Sequence, residues 1–337
     1  MPKISAILVA YNEETDIGKT IESLLAQSYE DFEIIVVNNA STDKTAEIAG
    51  MYPVKIVSVE KNSGPGGGRN FGAAQATGDI IAFLDGHVIA ERDFFANTVK
   101  LFEAYPDVGA WGGPTLTPKD DPLFAQACGI VLGSWLGTFT MSNRYGKGKF
   151  NANASELFIT SANFFIRHKE FEKTSGFTLD MYGGDDPEFF ERLSAQGKKI
   201  GYSPELYVYN KRRTKLKLFC KQFFNYGKVR PVKEKMHNKI PELHFWIPSL
   251  FLLYLITLPA TAFANYFVFL PLLIYFIAVV VYSFLNATRG RWAMASLLLP
   301  ALYFLLHISY GAGFLYGLHA ATKKDLQKNE VSSIARQ

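Results

Sequence analysis

The sequence predicts an α/β domain with a doubly wound, mostly parallel sheet, followed by transmembrane helices. In the first part of the chain, short runs rich in β-branched residues alternate with segments of helical periodicity. This alternation is typical of parallel strands joined by crossover helices. After about residue 240, long apolar segments carry almost no formal charge, which is typical of helices that cross a bilayer.

Four near-continuous apolar runs are the predicted strands: residues 4–10, 32–37, 54–59 and 79–84. Runs without alternating polar residues are typical of strands covered on both faces. Between the first two runs, Ile17, Ile21, Leu24 and Leu25 recur at helical spacing. Residues 42–51 predict a second helix, and residues 158–167 predict a later strand.

Three apolar segments are the predicted membrane spans: residues 245–264, 266–284 and 292–318. Each is about the 20 residues that a helix needs to cross the hydrocarbon core. Buried helices of a soluble domain are the alternative, but three in tandem would leave no polar face for water. The predicted organisation is a domain over residues 1–210, basic juxtamembrane helices over 211–244, transmembrane helices over 245–320 and a polar tail over 321–337.

The flanking residues predict which side of the membrane the first domain occupies. A cluster of Lys and Arg residues over 211–239 precedes the first span, and Trp246, Tyr266 and Trp292 lie near the predicted interfaces. The positive-inside rule therefore predicts a cytoplasmic first domain on a multi-pass protein of the cell inner membrane. Arg289 and Arg291 agree with three crossings, whereas Lys323, Lys324 and Lys328 do not. Either the tail is an exception, or one segment lies in the interface or re-enters.

Composition excludes several classes of protein. The 337 residues carry a net charge of +4, which gives no support for a nucleic-acid-binding protein. Only Cys128 and Cys220 are present, so the chain has neither a disulfide framework nor a structural zinc site.

Polar clusters follow the predicted strands. They are Tyr11-Asn12-Glu13, Asn38-Asn39-Ala40-Ser41-Thr42-Asp43, the glycine-rich Gly64-Pro65-Gly66-Gly67-Gly68-Arg69-Asn70, and Asp85-Gly86-His87. In open α/β sheets, ligands bind beyond the carboxyl ends of the strands. The four clusters are therefore expected to converge on one edge of the sheet.

In this order and spacing, the clusters resemble the family 2 glycosyltransferases of GT-A fold over roughly residues 3–230. Gly184-Asp185-Asp186, before a predicted helix ending in Arg192-Leu193, also matches. The resemblance implies an inverting transfer from a nucleoside-diphosphate sugar, a UDP-sugar ahead of a GDP-sugar. The implied donor-binding residues are Ala10, Tyr11, Asn12, Glu13, Asn38, Asn39, Arg69, Asn70, Asp85 and Gly86. Asn38 and Asn39 stand where the family commonly has acidic residues, and the glycine-rich segment is expected to be a loop against the donor.

The resemblance also implies a divalent cation at Asp85 and His87, where the family usually has a D-x-D motif. Such a cation neutralises the charge that grows on the leaving diphosphate. A carboxylate with an imidazole suits Mn²⁺ better than Mg²⁺, which favours oxygen-only shells. A turn with a solvated histidine is the alternative interpretation of an isolated Asp-Gly-His.

By the same resemblance, Asp186 is the catalytic base and Asp185 lies beside it. Inversion requires a carboxylate that takes the proton of the acceptor hydroxyl. The pair is also suited to a helix start with Pro187 at the first position, and the two interpretations are compatible.

Family members with membrane acceptors often carry a stretch similar to residues 222–227 before their transmembrane helices. The resemblance makes Arg212, Arg213, Lys221, Gln222 and Tyr226 candidates for binding lipid phosphate, with topology determinants as the alternative. Trp111 is expected to offer a stacking face to an acceptor sugar.

The main functional hypothesis is a transferase that extends a polyprenyl-linked saccharide at the cytoplasmic membrane face during surface-glycan assembly. A polyprenyl-phosphate sugar synthase is the alternative enzyme, and its phosphate nucleophile needs no strong base. A non-catalytic membrane scaffold with a degenerate sugar-nucleotide fold is the alternative of another class, suggested by Asn38, Asn39 and His87. A processive synthase is disfavoured because no Gln-x-x-Arg-Trp segment follows Asp186.

Overall fold

A computed structural model describes residues 1–179, 184–261, 263, 265–288 and 293–320. The chain divides into two compact units. The sheet unit comprises Met1–Pro118 and Thr140–Lys211, and the helical unit comprises Lys119–Phe139 and Arg212–Gln337. The sequence-based boundary at residue 210 did not anticipate that residues 119–139 join the helical unit.

The sheet unit is built on a seven-stranded sheet. Its strands are β1 Ile4–Ala10, β2 Phe32–Asn38, β3 Lys55–Ser58, β4 Ile80–Asp85, β6 Val108–Gly112, β8 Asn163–Arg167 and β9 Lys199–Tyr202, in the order β3-β2-β1-β4-β8-β6-β9. Strand β8 is antiparallel to both neighbours, and the other pairs are parallel. The predicted mostly parallel sheet is confirmed, and the strand predicted over 158–167 is shorter.

Three short strands form a second sheet in the order β5-β10-β7: β5 Val88–Ala90, β7 Thr115–Leu116 and β10 Val208–Asn210. The helices of the sheet unit are α1 Ile17–Leu25, α2 Thr45–Ala49, α3 Gly64–Ala73, α4 Phe94–Ala104, α7 His168–Glu172 and α8 Asp185–Ala195, with a 3₁₀ helix over Phe139–Arg144. Helix α2 is shorter than the predicted 42–51. Its start is delayed because the Asp43 carboxylate accepts a hydrogen bond from the backbone N–H of Thr45 at 3.0 Å.

The glycine-rich segment forms helix α3, which corrects the prediction of a loop. Its glycines allow the helix to lie directly on β1. A Cβ at Gly68 would come within 2.6 Å of Val9 Cγ1, and one at Gly72 would collide with Ile7. Close helix-to-strand packing is therefore the reason for this composition, since any larger residue would lift the helix off the sheet.

The core lies on both faces of the sheet, as predicted for strands without polar alternation. Ile4, Ala6 and Leu8 of β1 pack in one buried cluster, and Ile7 packs in the other. Phe164 and Phe165 divide between the two clusters in the same way, which follows from the two-residue repeat of a strand.

The helical unit contains α5 Leu123–Leu132, α6 Trp135–Thr138, α9 Leu216–Met236, α10 Leu243–Thr261, α11 Leu270–Thr288, α12 Ala293–Ser296 and α13 Leu299–Ala320. Within the described residues, three helical stretches are long and apolar enough to cross a membrane: Leu243–Thr261, Tyr266–Asn286 and Leu299–Ala320. They fit the three predicted spans. Arg289, Arg291, Trp292 and the tail lysines Lys323, Lys324 and Lys328 lie outside the described residues.

Glycines bring α9 and α13 close together. A Cβ at Gly227 would collide with the carbonyl of Tyr310, one at Gly313 with the carbonyl of Phe224, and one at Gly317 with the carbonyl of Lys228. Small residues of this kind let helix backbones approach closely where the hydrophobic effect does not drive association.

Candidate active site

The carboxyl ends of three neighbouring strands meet at one edge of the large sheet. Ala10 pairs with Asn38 across β1 and β2, and Val9 pairs with Asp85 across β1 and β4. The polar segments after these strands are thereby brought together, because the strands are parallel and in register. This is the edge at which open α/β sheets bind ligands.

Arg69 of α3 connects two acidic parts of this edge. Its Nη2 is 3.0 Å from Asp85 Oδ1, and its Nη1 is 2.8 Å from Asp185 Oδ2 at the start of α8. Only 4% of the Arg69 side chain is exposed. The predicted direct contact of Arg69 with the donor is therefore revised, because its guanidinium is buried between two carboxylates. We call this arrangement the Arg69 link.

Burial and the nearby Arg69 charge have opposing effects on the pKa of the Asp185 carboxyl. Burial raises the pKa of its carboxyl from the ordinary value to about 7, and the nearby charges of Asp186 and Asp85 act in the same direction, while Arg69 lowers it. Burial has the largest effect on this pKa, and the Arg69 charge has the second largest. The Asp185 side chain is 7% exposed, so this residue is a buried partner of Arg69 and is poorly placed to meet an acceptor.

Asp186, the next residue, is more accessible, with 16% of its side chain exposed. Its Oδ2 lies 3.8 Å from Arg144 Nη1. Arg144 is held from behind, because its Nε donates to the carbonyl of Leu157 at 3.0 Å and its Nη2 to that of Glu156 at 2.6 Å. Sequence reasoning missed Arg144, which stands alone between polar residues and belongs to no recognisable motif.

Asp85 is the last residue of β4, and His87 lies in the turn that follows it. His87 Nδ1 is 2.9 Å from Glu13 Oε1, and the two side chains are 30% and 23% exposed. Asp85 is 27% exposed. A carboxylate that fixes one ring nitrogen is a common way to orient a metal-binding histidine.

The donor set of Asp85 and His87 therefore fits a divalent cation in its chemistry and accessibility. Within the described residues, no group of three or more His, Cys, Asp or Glu side chains could hold a metal ion. Asp85 and His87 would thus supply only part of a coordination shell.

The predicted donor-binding asparagines instead tie the backbone of the site together. Asn12 Oδ1 accepts from the N–H of Thr42 at 2.8 Å, and Asn12 itself has a left-handed φ of 56°. Asn38 Oδ1 accepts from the N–H of Ser41 at 3.1 Å. Both side chains therefore stabilise the turn at residues 41–42. Their position after predicted strands did not indicate this role.

The side chains of Asn39 and Asn70 also form hydrogen bonds with backbone groups. Asn39 Oδ1 accepts from the N–H of Ser63 at 3.1 Å, and Asn39 Nδ2 donates to the carbonyl of Gly64 at 3.0 Å. Asn70 makes two 2.8 Å hydrogen bonds with the backbone N–H and carbonyl of Phe177. These amides pin the loops around α3, and their contact with the donor stays a prediction.

Four small or aromatic candidates occupy different environments. Ala10 is fully buried, and a Cβ on Gly86 would be 3.0 Å from Ala10 Cβ, so the two residues form a tight floor where the strands end. Tyr11 is half-buried at the same edge. Trp111 is fully buried and stacks on Phe150 at 5.6 Å between ring centroids, so the prediction that its face meets an acceptor sugar is wrong.

The remaining candidates belong to the helical unit. Arg212 donates its backbone N–H to Asp121 Oδ2 at 3.1 Å, and Gln222 Nε2 donates to Tyr226 Oη at 2.8 Å. Arg213 and Lys221 are exposed. Gln222 and Tyr226 thus brace one turn of α9, Lys221 presents a cation on its surface, and Arg213 presents one just before it.

Comparison with known proteins identifies the family. The profile of Glycosyl transferase family 2 matches residues 5–176, half of the chain. The chain belongs to this family. It is a glycosyltransferase, and the non-catalytic scaffold suggested by Asn38, Asn39 and His87 is set aside.

Two curated proteins are similar to the chain. The chain is 26% identical over 331 residues to the dolichyl N-acetyl-alpha-D-glucosaminyl phosphate 3-beta-D-2,3-diacetamido-2,3-dideoxy-beta-D-glucuronosyltransferase of Methanococcus voltae, covering 94% of this chain and 97% of that one. It is 33% identical over 127 residues to the poly-beta-1,6-N-acetyl-D-glucosamine synthase of Staphylococcus aureus, covering 36% of this chain and 30% of that one.

Solved structures agree in fold. The mannosyltransferase PcManGT from Pyrobaculum calidifontis, in complex with GDP-Man and Mn²⁺, has a TM-score of 0.59 at 18% identity, covering 94% of this chain and 87% of that one. Residues 1–349 of S. aureus TarS, in complex with UDP-GlcNAc, have a TM-score of 0.51 at 17% identity, with 91% of each chain covered. At these identities the likeness establishes the GT-A fold.

Proposed function

We propose that this glycosyltransferase moves a sugar, with inversion, from a nucleoside-diphosphate donor to a lipid-linked saccharide at the cytoplasmic membrane face. The observation that carries the proposal is the Arg69 link, which joins the end of β4 to the start of α8. It ties Asp85, on the donor side, to the helix start that presents Asp186. The end of β4 therefore supplies a carboxylate for a cation, and the linked helix start supplies Asp186, which is more exposed than its neighbour Asp185.

Asp186 acts as the base. The acceptor hydroxyl oxygen attacks the anomeric carbon, the bond from that carbon to the diphosphate oxygen breaks, and Asp186 takes the hydroxyl proton. Arg144 holds the carboxylate from one side, since its guanidinium lies 3.8 Å from Oδ2 and is fixed by two carbonyls. Asp185 is a positioning residue in this scheme, because it is buried against Arg69.

A divalent cation bound by Asp85 and His87 would neutralise the charge that develops on the leaving diphosphate. Glu13 orients His87, and Arg69 orients Asp85, so both side chains are held before a donor arrives. The carboxylate and imidazole donors favour Mn²⁺ over Mg²⁺. Mn²⁺ in the GDP-Man complex of PcManGT supports this choice.

The lipid-linked acceptor is supported by two features. The Methanococcus relative, which is named for a dolichyl-linked sugar phosphate, matches along 94% of the chain, including the apolar helices. Arg213 and Lys221 also present cations on or just before α9, where they suit a lipid phosphate or anionic head groups. A UDP-sugar is the first donor to test and a GDP-sugar the second, because both occur in the structures of like fold.

The decisive variant is Asp186→Asn. The full chain in membranes is incubated with Mn²⁺, labelled UDP- or GDP-sugars and a polyprenyl-linked saccharide extract, and the glycolipid product is measured by chromatography. Loss of the base is expected to lower the transfer rate by a factor of about 10²–10⁴. Asp107→Asn is the matched control, because Asp107 is an exposed carboxylate paired with Lys199, and its rate should stay unchanged.

A near-normal rate in Asp186→Asn would contradict the hydroxyl acceptor. If product forms on polyprenyl phosphate under those conditions, the enzyme is a polyprenyl-phosphate sugar synthase, since that nucleophile needs no base. Absence of product and of donor binding with the whole panel would refute the proposed reaction itself.

A further inference from the structure

An uncharged helical hairpin interrupts the sheet unit. Helix α5, Leu123–Leu132, is followed after a short break by a second helical stretch, Trp135–Arg144, bent from the first by 70°. Residues 123–143 contain no Asp, Glu, Lys or Arg. Residues 119–139 pack with the apolar helices of the helical unit. We call residues 123–139 the inserted hairpin.

The backbone carbonyls at the break are bonded within the protein. Ser134 Oγ donates to the carbonyl of Val131 at 2.8 Å, and Thr138 Oγ1 donates to that of Leu132 at 2.7 Å. His307 Nε2 lies 3.1 Å from the carbonyl oxygen of Leu136. In hydrocarbon, a broken helix is tolerated only when its released backbone groups find partners in the protein. The break of the inserted hairpin meets this requirement.

The hairpin is fastened to α13, one of the candidate spans. Tyr303 Oη donates to Ser134 Oγ at 2.9 Å, and His307 contacts the Leu136 carbonyl through Nε2. The other ring nitrogen of His307, Nδ1, lies 2.9 Å from Tyr275 Oη of α11. Helix α13 begins at Leu299. With a rise of about 1.5 Å per residue, the hairpin contacts α13 roughly 6 and 12 Å along the helix from its start. The hairpin tip is thus held against membrane-spanning structure.

The outer side of the hairpin is apolar and exposed. Trp135 is 62% exposed and Leu123 is 42% exposed. Trp135 meets Phe139 edge-to-face at 5.1 Å between ring centroids. Tryptophan is enriched where protein meets the bilayer interface, and an exposed Trp135 packed on the half-buried Phe139 suits the same environment.

We propose that the inserted hairpin is a re-entrant membrane element whose outer face is covered by lipid acyl chains. Three independent features support lipid as the occupant: the uncharged sequence, the internally bonded break, and continuity with α13. The chain leaves the sheet unit after Pro118 and returns to it at Thr140. The hairpin therefore enters and leaves on one side, and it leaves the number of full crossings unchanged.

The test measures lipid contact at position 135 in the full chain, in nanodiscs. Cys128 and Cys220 are replaced by alanine, and Trp135→Cys carries an environment-sensitive fluorophore that is quenched by doxyl-labelled lipid or by aqueous iodide. Ile277→Cys on α11 is the lipid-facing reference, and Met51→Cys in the sheet unit is the aqueous reference; these residues are 54% and 70% exposed. The label at 135 is expected to behave like that at 277.

Quenching by iodide to the extent seen at 51 would overturn the proposal. Protection from both quenchers would overturn it too, because it would mean that another protein surface covers the face. Trp135→Phe in the otherwise native chain provides a second measurement that needs no label. Brominated lipid should quench less of the total tryptophan fluorescence in this variant than in the parent, and an equal quenched fraction contradicts lipid contact. Neither readout depends on the transfer reaction.

Discussion

Different interactions join the helices and strands inside each of the two units. In the sheet unit, α3 is joined to β4 and α8 by ion pairs of the buried Arg69, at 3.0 and 2.8 Å. In the helical unit, α9 and α13 meet through glycines, and α13 meets the inserted hairpin through hydroxyl and imidazole groups. No formal charge takes part in these contacts of α13.

The difference follows from what each unit must do. In the proposed reaction Asp85 binds a cation and must stay partly accessible, and a neighbouring guanidinium fixes its direction without covering it. A buried charge is costly unless it is paired, so the link requires both carboxylates. Membrane helices gain little from the hydrophobic effect among themselves, and close backbone contact with modest hydrogen bonds replaces it. Three substitutions test this contrast, in decreasing order of expected effect.

Arg69→Met should cause the largest loss. It leaves Asp85 and Asp185 without their shared cation, and removing one member of a buried pair costs about 3–5 kcal/mol. The free energy of unfolding is measured by chemical denaturation of the full chain in detergent micelles. Arg69→Lys should fall between the variant and the parent, because a single ammonium reaches only one of the two carboxylates well.

Lys199→Met supplies the control for Arg69→Met. Lys199 pairs with Asp107, and both side chains are at least half exposed, so its unfolding midpoint should match that of the parent. If the two substitutions have equal effects, burial is not what makes the Arg69 link important.

Gly313→Leu should have the second largest effect. The new side chain would enter the space occupied by the Phe224 carbonyl, and overpacking of this kind typically costs about 1–3 kcal/mol. The measurement is the unfolding midpoint of the helical unit in mixed micelles. Ala301→Leu, on an exposed position of the same helix, should leave that midpoint unchanged. Equal stability of the two variants would contradict close packing of α9 on α13.

Much of the fold could be predicted from the sequence because strands buried on both faces leave a simple signal. The first strand, Ile4–Ala10, was predicted with its observed ends, and the three apolar spans coincide with the helices that can cross a membrane. The glycine-rich segment was misinterpreted, because composition alone shows that glycine relieves a steric constraint and does not show where. Here the constraint is the contact of Gly68 and Gly72 with β1.

The site was predicted less completely. The predicted convergence of the strand ends on one edge is confirmed, but the directions of side chains there depend on long-range contacts. Asn39 and Asn70 turn to loop backbone, and Arg69 turns to Asp185, which is 116 positions away. Arg144 is fixed by carbonyls of residues 156 and 157. No local pattern encodes such pairings, so the carboxylates were found and their partners were not.

Tyr303→Phe should have the smallest effect and sharpens the contrast most directly. It removes the hydrogen bond from Tyr303 Oη to Ser134 Oγ, but Ser134 Oγ still accepts from the N–H of Gly137 at 3.0 Å and still donates to Val131. Because no buried group is left unsatisfied, the loss should be about 0.6 kcal/mol, the average for such bonds in membrane helices. Ser134→Ala in the same unfolding measurement should cost more, since it removes the bonds of Oγ to Gly137 N–H and to the Val131 carbonyl as well, and leaves these groups only longer backbone hydrogen bonds of 3.2 and 3.3 Å at the helix break. If Tyr303→Phe were as damaging as Arg69→Met, polar contacts in the helical unit would carry as much energy as the buried ion pairs, and the distinction between the two units would be lost.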